Sequence, residues 1–263
     1  MVTYSASSAA APPEYEPFTI TFTTGDQARA VYVPRHGDPD SIMQTLGLKH
    51  GPVIFIIGGA GLMDDESLSV TRGVIENGLA RFAQERQVTI IDGGTAAGVM
   101  ALIGMARKRA GYTFPLVGVA PLSQIEYPGH THDEKKVALD SFHSHFVLTE
   151  GDHFSAESDM IAMLATAISR DRRLPALGMV INGGQIARSE VYMRSASGHM
   201  IFPLMVLEGS GRLADDLARA KSQGVFPEDA EEDFTEILRS DVQFIAIAEG
   251  SDALRARLAR QFG

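Results

Sequence analysis

The chain contains no cysteine, so neither disulfides nor thiolate metal sites hold it together. That absence fits a reducing cytoplasm, where the protein is expected to reside. Positive charge is scarce: 23 Lys and Arg stand against 33 Asp and Glu, for a formal net charge of −10. Such a balance gives no electrostatic footprint for nucleic acid or for an anionic membrane surface, so neither is expected as a partner. Any anionic ligand has to be met locally. Long apolar runs are also missing, since stretches such as "PVIFIIGGAGLM" fall well short of the roughly 20 residues a membrane span needs. "MVTYSASSAAAPPEYEP" has no basic start and no apolar centre, so no signal peptide is expected.

What is there is ordinary globular composition, 44% hydrophobic and 21% charged over 263 residues, enough for one large core. The Ser, Ala and Pro of residues 1–16 predict a disordered tail, and 17–263 a single domain. "FTITFTTGDQARAVYVPR" (18–35) alternates apolar and polar residues around Thr24 to Gln27, the pattern of an antiparallel hairpin, with the parallel sheet starting later. Val53 to Ile57, Val88 to Ile91, 115–121, 145–151, 176–184, 204–212 and 241–250 then read as strands. Helical spacing intervenes: Leu68, Ile75, Leu79 and Phe82; about Ala97 to Ala110; a helix to about Ser169; Arg188 to Ser195; "LADDLARAKSQ"; and the stripe Leu254, Leu258, Phe262. The acidic 227–234 reads as a solvated loop or helix start. This alternation predicts an α/β fold, a Rossmann-like doubly wound and mostly parallel sheet with helices on both faces and an N-terminal β-hairpin. Ligands of such sheets bind at the carboxyl ends of the strands.

Four of those ends carry glycines: Gly58-Gly59-Ala60-Gly61, Gly93-Gly94, Gly183-Gly184 preceded by Asn182, and Gly209-Ser210-Gly211. Glycine lets the backbone turn sharply and lets a phosphate approach amides at a helix start, where the partial positive charge favours an anion. Asp64, Asp65 and Glu66 follow the first loop and would repel a phosphate, which assigns that loop to a sugar or base. Gly93-Gly94-Thr95 is followed by Gly98 and Val99 with no acid in the first turn, and is the first choice for phosphate. The last loop is the second choice, because Arg212 adds a planar donor fork. No strand is followed by a P-loop or by G-x-G-x-x-G.

His143 and His145 are two apart entering a strand, with His130 and His132 in the preceding loop. His130, His132 and Asp140 have the side-chain types of a zinc or iron site. They lack an H-E-x-x-H frame, so no metal is assigned. Glu150, Glu157 and Asp159 place acids after a strand, where acid/base work or ribose recognition occurs; Glu150 and Glu157 are the catalytic candidates.

In order, "DGGTAAGV", "VGVAP", "LDSFHSHFVLTEG", "VINGG" and "EGSGRLADDLA" resemble the SLOG superfamily. Specifically they resemble its prokaryotic branch, similar to the cytosolic N-terminal homology region of melastatin-type TRP channels. The resemblance implies a Rossmann-like domain that senses or processes nucleotide-derived ligands, ADP-ribose and related NAD products among them. It carries Gly93, Gly94, Gly98 and Val99 onto the second loop, Gly209, Ser210, Gly211, Arg212 and Asp215 onto the last, and His143, His145 and Glu157 onto the central block. Where the channel regions carry basic residues after the matching glutamate, this chain has Ile161 and Ala162. The enzymes of the superfamily carry P-G-G-x-G-T-x-x-E, and "IDGGTAAGVMALIG" lacks the proline, the third glycine and the glutamate. The favoured expectation is therefore a cytoplasmic sensor of a nucleotide ligand, acting as a homo-oligomer or through a separately encoded effector. An N-glycosidase is the alternative, and an interaction protein with an empty pocket the third.

Overall fold

The computed structural model describes residues 11–59, 65–130, 136–196 and 202–263. In chain order the elements are β1 (Phe18–Thr21), β2 (Gln27–Val33), α1 (Pro39–Leu46), β3 (Val53–Gly58), α2 (Asp65–Val74), α3 (Arg81–Arg86), β4 (Thr89–Asp92), α4 (Gly98–Arg109), β5 (Leu116–Pro121), β6 (Ile125–Glu126) and β7 (Val137–Ala138). They continue with β8 (His145–Thr149), α5 (Ser158–Ile168), β9 (Ala176–Ile181), α6 (Gln185–Ala196), β10 (Leu204–Glu208), α7 (Arg212–Gln223), α8 (Glu231–Arg239), β11 (Val242–Ala246) and α9 (Gly250–Phe262).

One nine-stranded sheet runs in the order β1-β2-β8-β5-β4-β3-β9-β10-β11. Every neighbouring pair in it is parallel except β1 with β2. The central strands are apolar on both faces because both faces are covered. Val53, Phe55 and Ile57 of β3 pack with α1, α5, α6, α7 and α8, while Ile54 and Ile56 pack with α3, α4 and α9. The doubly wound reading and the N-terminal hairpin both hold.

Two features depart from the sequence pattern. The hairpin is not a separate preface to the parallel sheet: β2 pairs in parallel with β8, from Arg29 opposite His145 to Val33 opposite Thr149. Ala28 and Ala30 on one face and Val31 and Val33 on the other are all buried, which suits a strand with neighbours on both sides. The helix expected from the spacing of Leu68, Ile75, Leu79 and Phe82 is interrupted by a π-helical turn at Ile75–Ala80, where Gly78 lies against Leu254 of α9. Within the segment read as a tail, Glu14 bridges to Tyr32, and the Tyr15 amide donates to the Tyr32 carbonyl at 2.9 Å. The acidic 227–234, which reads as a loop or helix start, runs into a helix at Glu231–Arg239, with Phe234 and Ile237 buried.

From β3 the chain winds outward through β4 and β5 to β8, then returns to the far side of β3 and winds the other way through β9, β10 and β11. The reversal lies between β3 and β9. A crevice opens at the carboxyl ends of such a pair, because the connections on its two sides leave in opposite directions. No helix of the described residues is long and apolar enough to cross a membrane.

Candidate functional site

The site is built around the early end of β4. Ile91 pairs with both Phe55 and Val117, yet β3 continues to Gly58 and β5 to Pro121, whereas β4 stops at Asp92. The Asp92-Gly93-Gly94 turn is thus recessed below its neighbours. A Cβ on Gly94, whose φ is +66°, would come within 2.8 Å of the Gly118 Cα and of the Phe146 ring, so only glycine fits the turn.

A buried charged network fixes that turn. Asp92 Oδ1 accepts from the Gly94 amide at 2.7 Å and from His143 Nε2 at 2.8 Å. His143 Nδ1 donates to Asp140 Oδ2 at 2.8 Å, and the ring stacks on Phe146. Burial works against a charge on His143, but Asp92 and Asp140 outweigh it, and the imidazole is pushed up to about 9. His143 is therefore an imidazolium at neutral pH.

Above this turn, at the β3/β9 reversal, lies a cleft of about 440 Å³. Gly58, Gly59, Gly93, Thr95, Gly184, Arg212 and Glu157 all line it, so residues from all four glycine-bearing strand ends converge there. Its apolar side is formed by Ile56, Met100, Val137, Phe154 and Ile161, a surface suited to the face of a base. Thr95 is 2% exposed, and its hydroxyl has no hydrogen-bond partner. Beside it α4 begins at Gly98 with no capping side chain from Ala97 and no acid in its first turn. An unpartnered hydroxyl in a cleft wall, followed three residues on by an uncapped helix start, suits an oxyanion.

The loop after β10 is used differently. The Leu213 and Ala214 amides at the start of α7 donate to the carbonyls of Gly183 and Asn182 at 3.3 and 3.0 Å. The Gly209 amide donates to Asp215 Oδ1 at 2.6 Å. Ser210, fully buried, donates to the Leu207 carbonyl and accepts from the Asn182 amide at 2.7 Å. Asn182 Nδ2 in turn donates to the Ser210 carbonyl, while its Oδ1 has no partner. Ser210 and the Leu213 and Ala214 amides thus tie the β10 end to the β9 end, Asp215 closes the loop on Gly209, and what this loop contributes to the cleft lining is Arg212. That guanidinium lies over Gly184, where a Cβ would sit 2.6 Å from it, and its backbone has a φ of +49°.

Glu157 accepts from the Ser155 amide at 2.9 Å. Desolvation, with the charge of Glu190 adding to it, pushes its carboxyl up to about 7. Glu190 of α6 lines the same cleft. Sequence reasoning passed over it, although Ile186 and Glu190 are four apart and share a helix face. Gly98 and Val99 are not among the residues that line the cleft; Val99 is buried in the core and packs under Gly58.

Two candidates lie elsewhere. Glu150 is exposed, accepts from the Arg35 amide at 3.4 Å, and lines a separate hollow with Tyr32, Ser123 and Lys136. His145 starts β8, so it sits at the amino end of the sheet; burial first, then Arg107 and Arg29, lower it to about 4. Asp140 is committed to His143, and His130 stacks on Tyr127. Ala60, Gly61, Asp64 and His132, and the side chains of Asp65 and Glu66, lie outside the described residues.

Comparison with known sequences agrees with this architecture. A family profile described as "SLOG in TRPM, prokaryote" matches residues 51–255. The chain is similar to the mouse transient receptor potential cation channel subfamily M member 2, 25% identical over 242 residues, covering 76% of this chain and 16% of the channel subunit. The rat protein of the same name is 26% identical over 240 residues, with the same coverage. The chain thus spans about a sixth of the length of these relatives.

Proposed function

The chain belongs to the prokaryotic family of SLOG domains in TRPM, and from that premise we propose that it is a cytoplasmic binding domain for a nucleotide-derived ligand such as ADP-ribose. Membership supports a nucleotide-ligand role in general. The observation that supports the finer reading is that Thr95, whose hydroxyl is unpartnered, and Arg212 line one cleft at the sheet's reversal point, with the uncapped start of α4 three residues after Thr95. A phosphate at the α4 start takes amide and hydroxyl donors on one side and Arg212 on the other. The sugar lies toward Gly58-Gly59 and Glu157, and the base against Phe154 and Val137. We assign the output to a homo-oligomer or a separately encoded effector.

A second reading rests on Glu157. A cleft carboxyl pushed up to about 7 is suited to proton transfer near neutral pH, which an N-glycosidase acting on a nucleoside monophosphate or an NAD-type ligand would use.

One experiment tests both: melting the protein with ADP-ribose, NAD or AMP, then chromatography of the same sample. A ligand at about a hundred times its dissociation constant adds roughly 2.7 kcal/mol and raises the Tm by several degrees. The expected result is a shift with intact ligand. Free base or nicotinamide in the chromatogram makes the protein a hydrolase, and no shift with any of the three rejects both readings for these ligands.

A further inference from the structure

We propose that the ligand of this cleft is a dinucleotide, whose second nucleoside lies in a groove between α5 and α6. The proposal rests on the reading of the cleft as a nucleotide site and extends it. The cleft does not end at Ser158 and Glu190. Those two residues, together with Gln185 and Ile186, also line an adjoining groove of about 690 Å³, larger than the cleft itself.

Both walls run from one hollow into the other. On the first, the turn before α5 places Glu157 in the cleft lining and Ser155 in the groove lining, and the Ser155 amide donates to Glu157 Oε2 at 2.9 Å. The Ser158 amide closes the same turn on the Ser155 carbonyl at 3.1 Å. α5 then continues the groove wall through Asp159, Ala162 and Met163. On the second wall, α6 leaves the cleft after Ile186 and Glu190 and reaches Met193, which is two turns or about 10 Å along the helix from Ile186. Ile186 is 52% exposed and Met193 68%, so two of the four exposed large apolar side chains among the described residues line this one groove. Such a strip is a platform for a flat ring, and a thioether makes favourable contacts with aromatic systems. The charged lining is of mixed sign, Arg35 against Asp159 and Glu190, which suits a base and its sugar better than a further phosphate. Asp159 and the Ser155 and Ser189 hydroxyls supply acceptors for ribose hydroxyls.

Titration calorimetry with AMP, ADP-ribose and diadenosine diphosphate tests this directly. The last differs from ADP-ribose by an adenine on the distal ribose. The wild type is expected to bind diadenosine diphosphate about tenfold more tightly than ADP-ribose. Met193 lies outside the cleft lining, so Met193→Ser should cut that advantage to about twofold or less and leave the affinities for AMP and ADP-ribose unchanged. Met193→Leu keeps the apolar surface and should restore most of the advantage. Melting curves without ligand establish that both variants are folded. Equal wild-type affinity for ADP-ribose and diadenosine diphosphate overturns the second nucleoside and leaves the cleft reading standing. An advantage that survives Met193→Ser in full, or a loss shared equally by all three ligands, overturns its placement on α6. Failure of all three to bind overturns the nucleotide reading for these ligands, and the dinucleotide with it.

Discussion

Replacing His143 by alanine is expected to lower the stability of the fold by about 3–5 kcal/mol, the usual cost of removing one partner from a buried ion pair. The ring is fully buried and both of its nitrogens are engaged, so the substitution strands Asp92 and Asp140 with no countercharge and leaves a cavity beside Phe146. The Asp92 carboxylate already has one oxygen without a partner. With Oδ1 relieved of His143, it is held by the Gly94 amide alone. Thermal melts at pH 7 should show a drop in Tm on the order of 10 °C. The pH dependence carries the sign. A folded-state pKa of about 9 lies above the ordinary imidazole value of 6.5, so the network's contribution is complete below about pH 6.5 and is lost as pH rises through 9. The gap between wild type and His143→Ala should therefore narrow in alkaline buffer. A loss under about 1 kcal/mol at pH 7 would mean that the imidazole is not charged between the two carboxylates.

Arg212→Ala should weaken the binding of the phosphorylated ligand. Charge-assisted hydrogen bonds contribute about 1.5–3 kcal/mol, which corresponds to roughly ten- to hundredfold weaker binding of a phosphorylated nucleotide. The backbone bonds that position residue 212, from the Leu213 and Ala214 amides to Gly183 and Asn182, do not involve its side chain. Arg212→Lys keeps the charge but not the planar fork, and should fall between the two. Calorimetry with ADP-ribose checks all three proteins; affinity unchanged in Arg212→Ala would remove the phosphate assignment.

The glycine-ended strands, the alternation of elements and Arg212 were legible in the sequence because each depends on local chemistry: β-branched runs, helical spacing, a cation beside a turn. Contacts between distant residues were not. Asp92 and His143 are 51 positions apart and meet only because β4 and β8 flank β5 and Asp140 leads the chain back over Gly94. Periodicity has no means of reporting that. His143 and His145 looked equivalent as a pair on one face, yet one sits between two carboxylates and the other at the amino end of β8 near Arg29 and Arg107. Ser210 and Asp215 looked like ligand contacts, but Ser210 is engaged by the β9 end and Asp215 by the Gly209 amide of its own loop. Glu190 was hidden because only the fold brings it into the same cleft lining as Glu157, which the α6 sequence alone does not show.

The reversal at β3 and β9 has one more consequence. Within the sheet, the two windings are joined by the ladder between those strands, from Val53 opposite Ala176 to Gly58 opposite Ile181. A molecule seated across the carboxyl end of that ladder grips both arms at once, through Gly93 and Thr95 on one and Gly184 and Arg212 on the other. Amide exchange should then slow together in 93–99 and 183–214, segments far apart along the chain. Occupancy would be recorded as shared rigidity of two arms, a latch that signals by stiffening and requires neither arm to move.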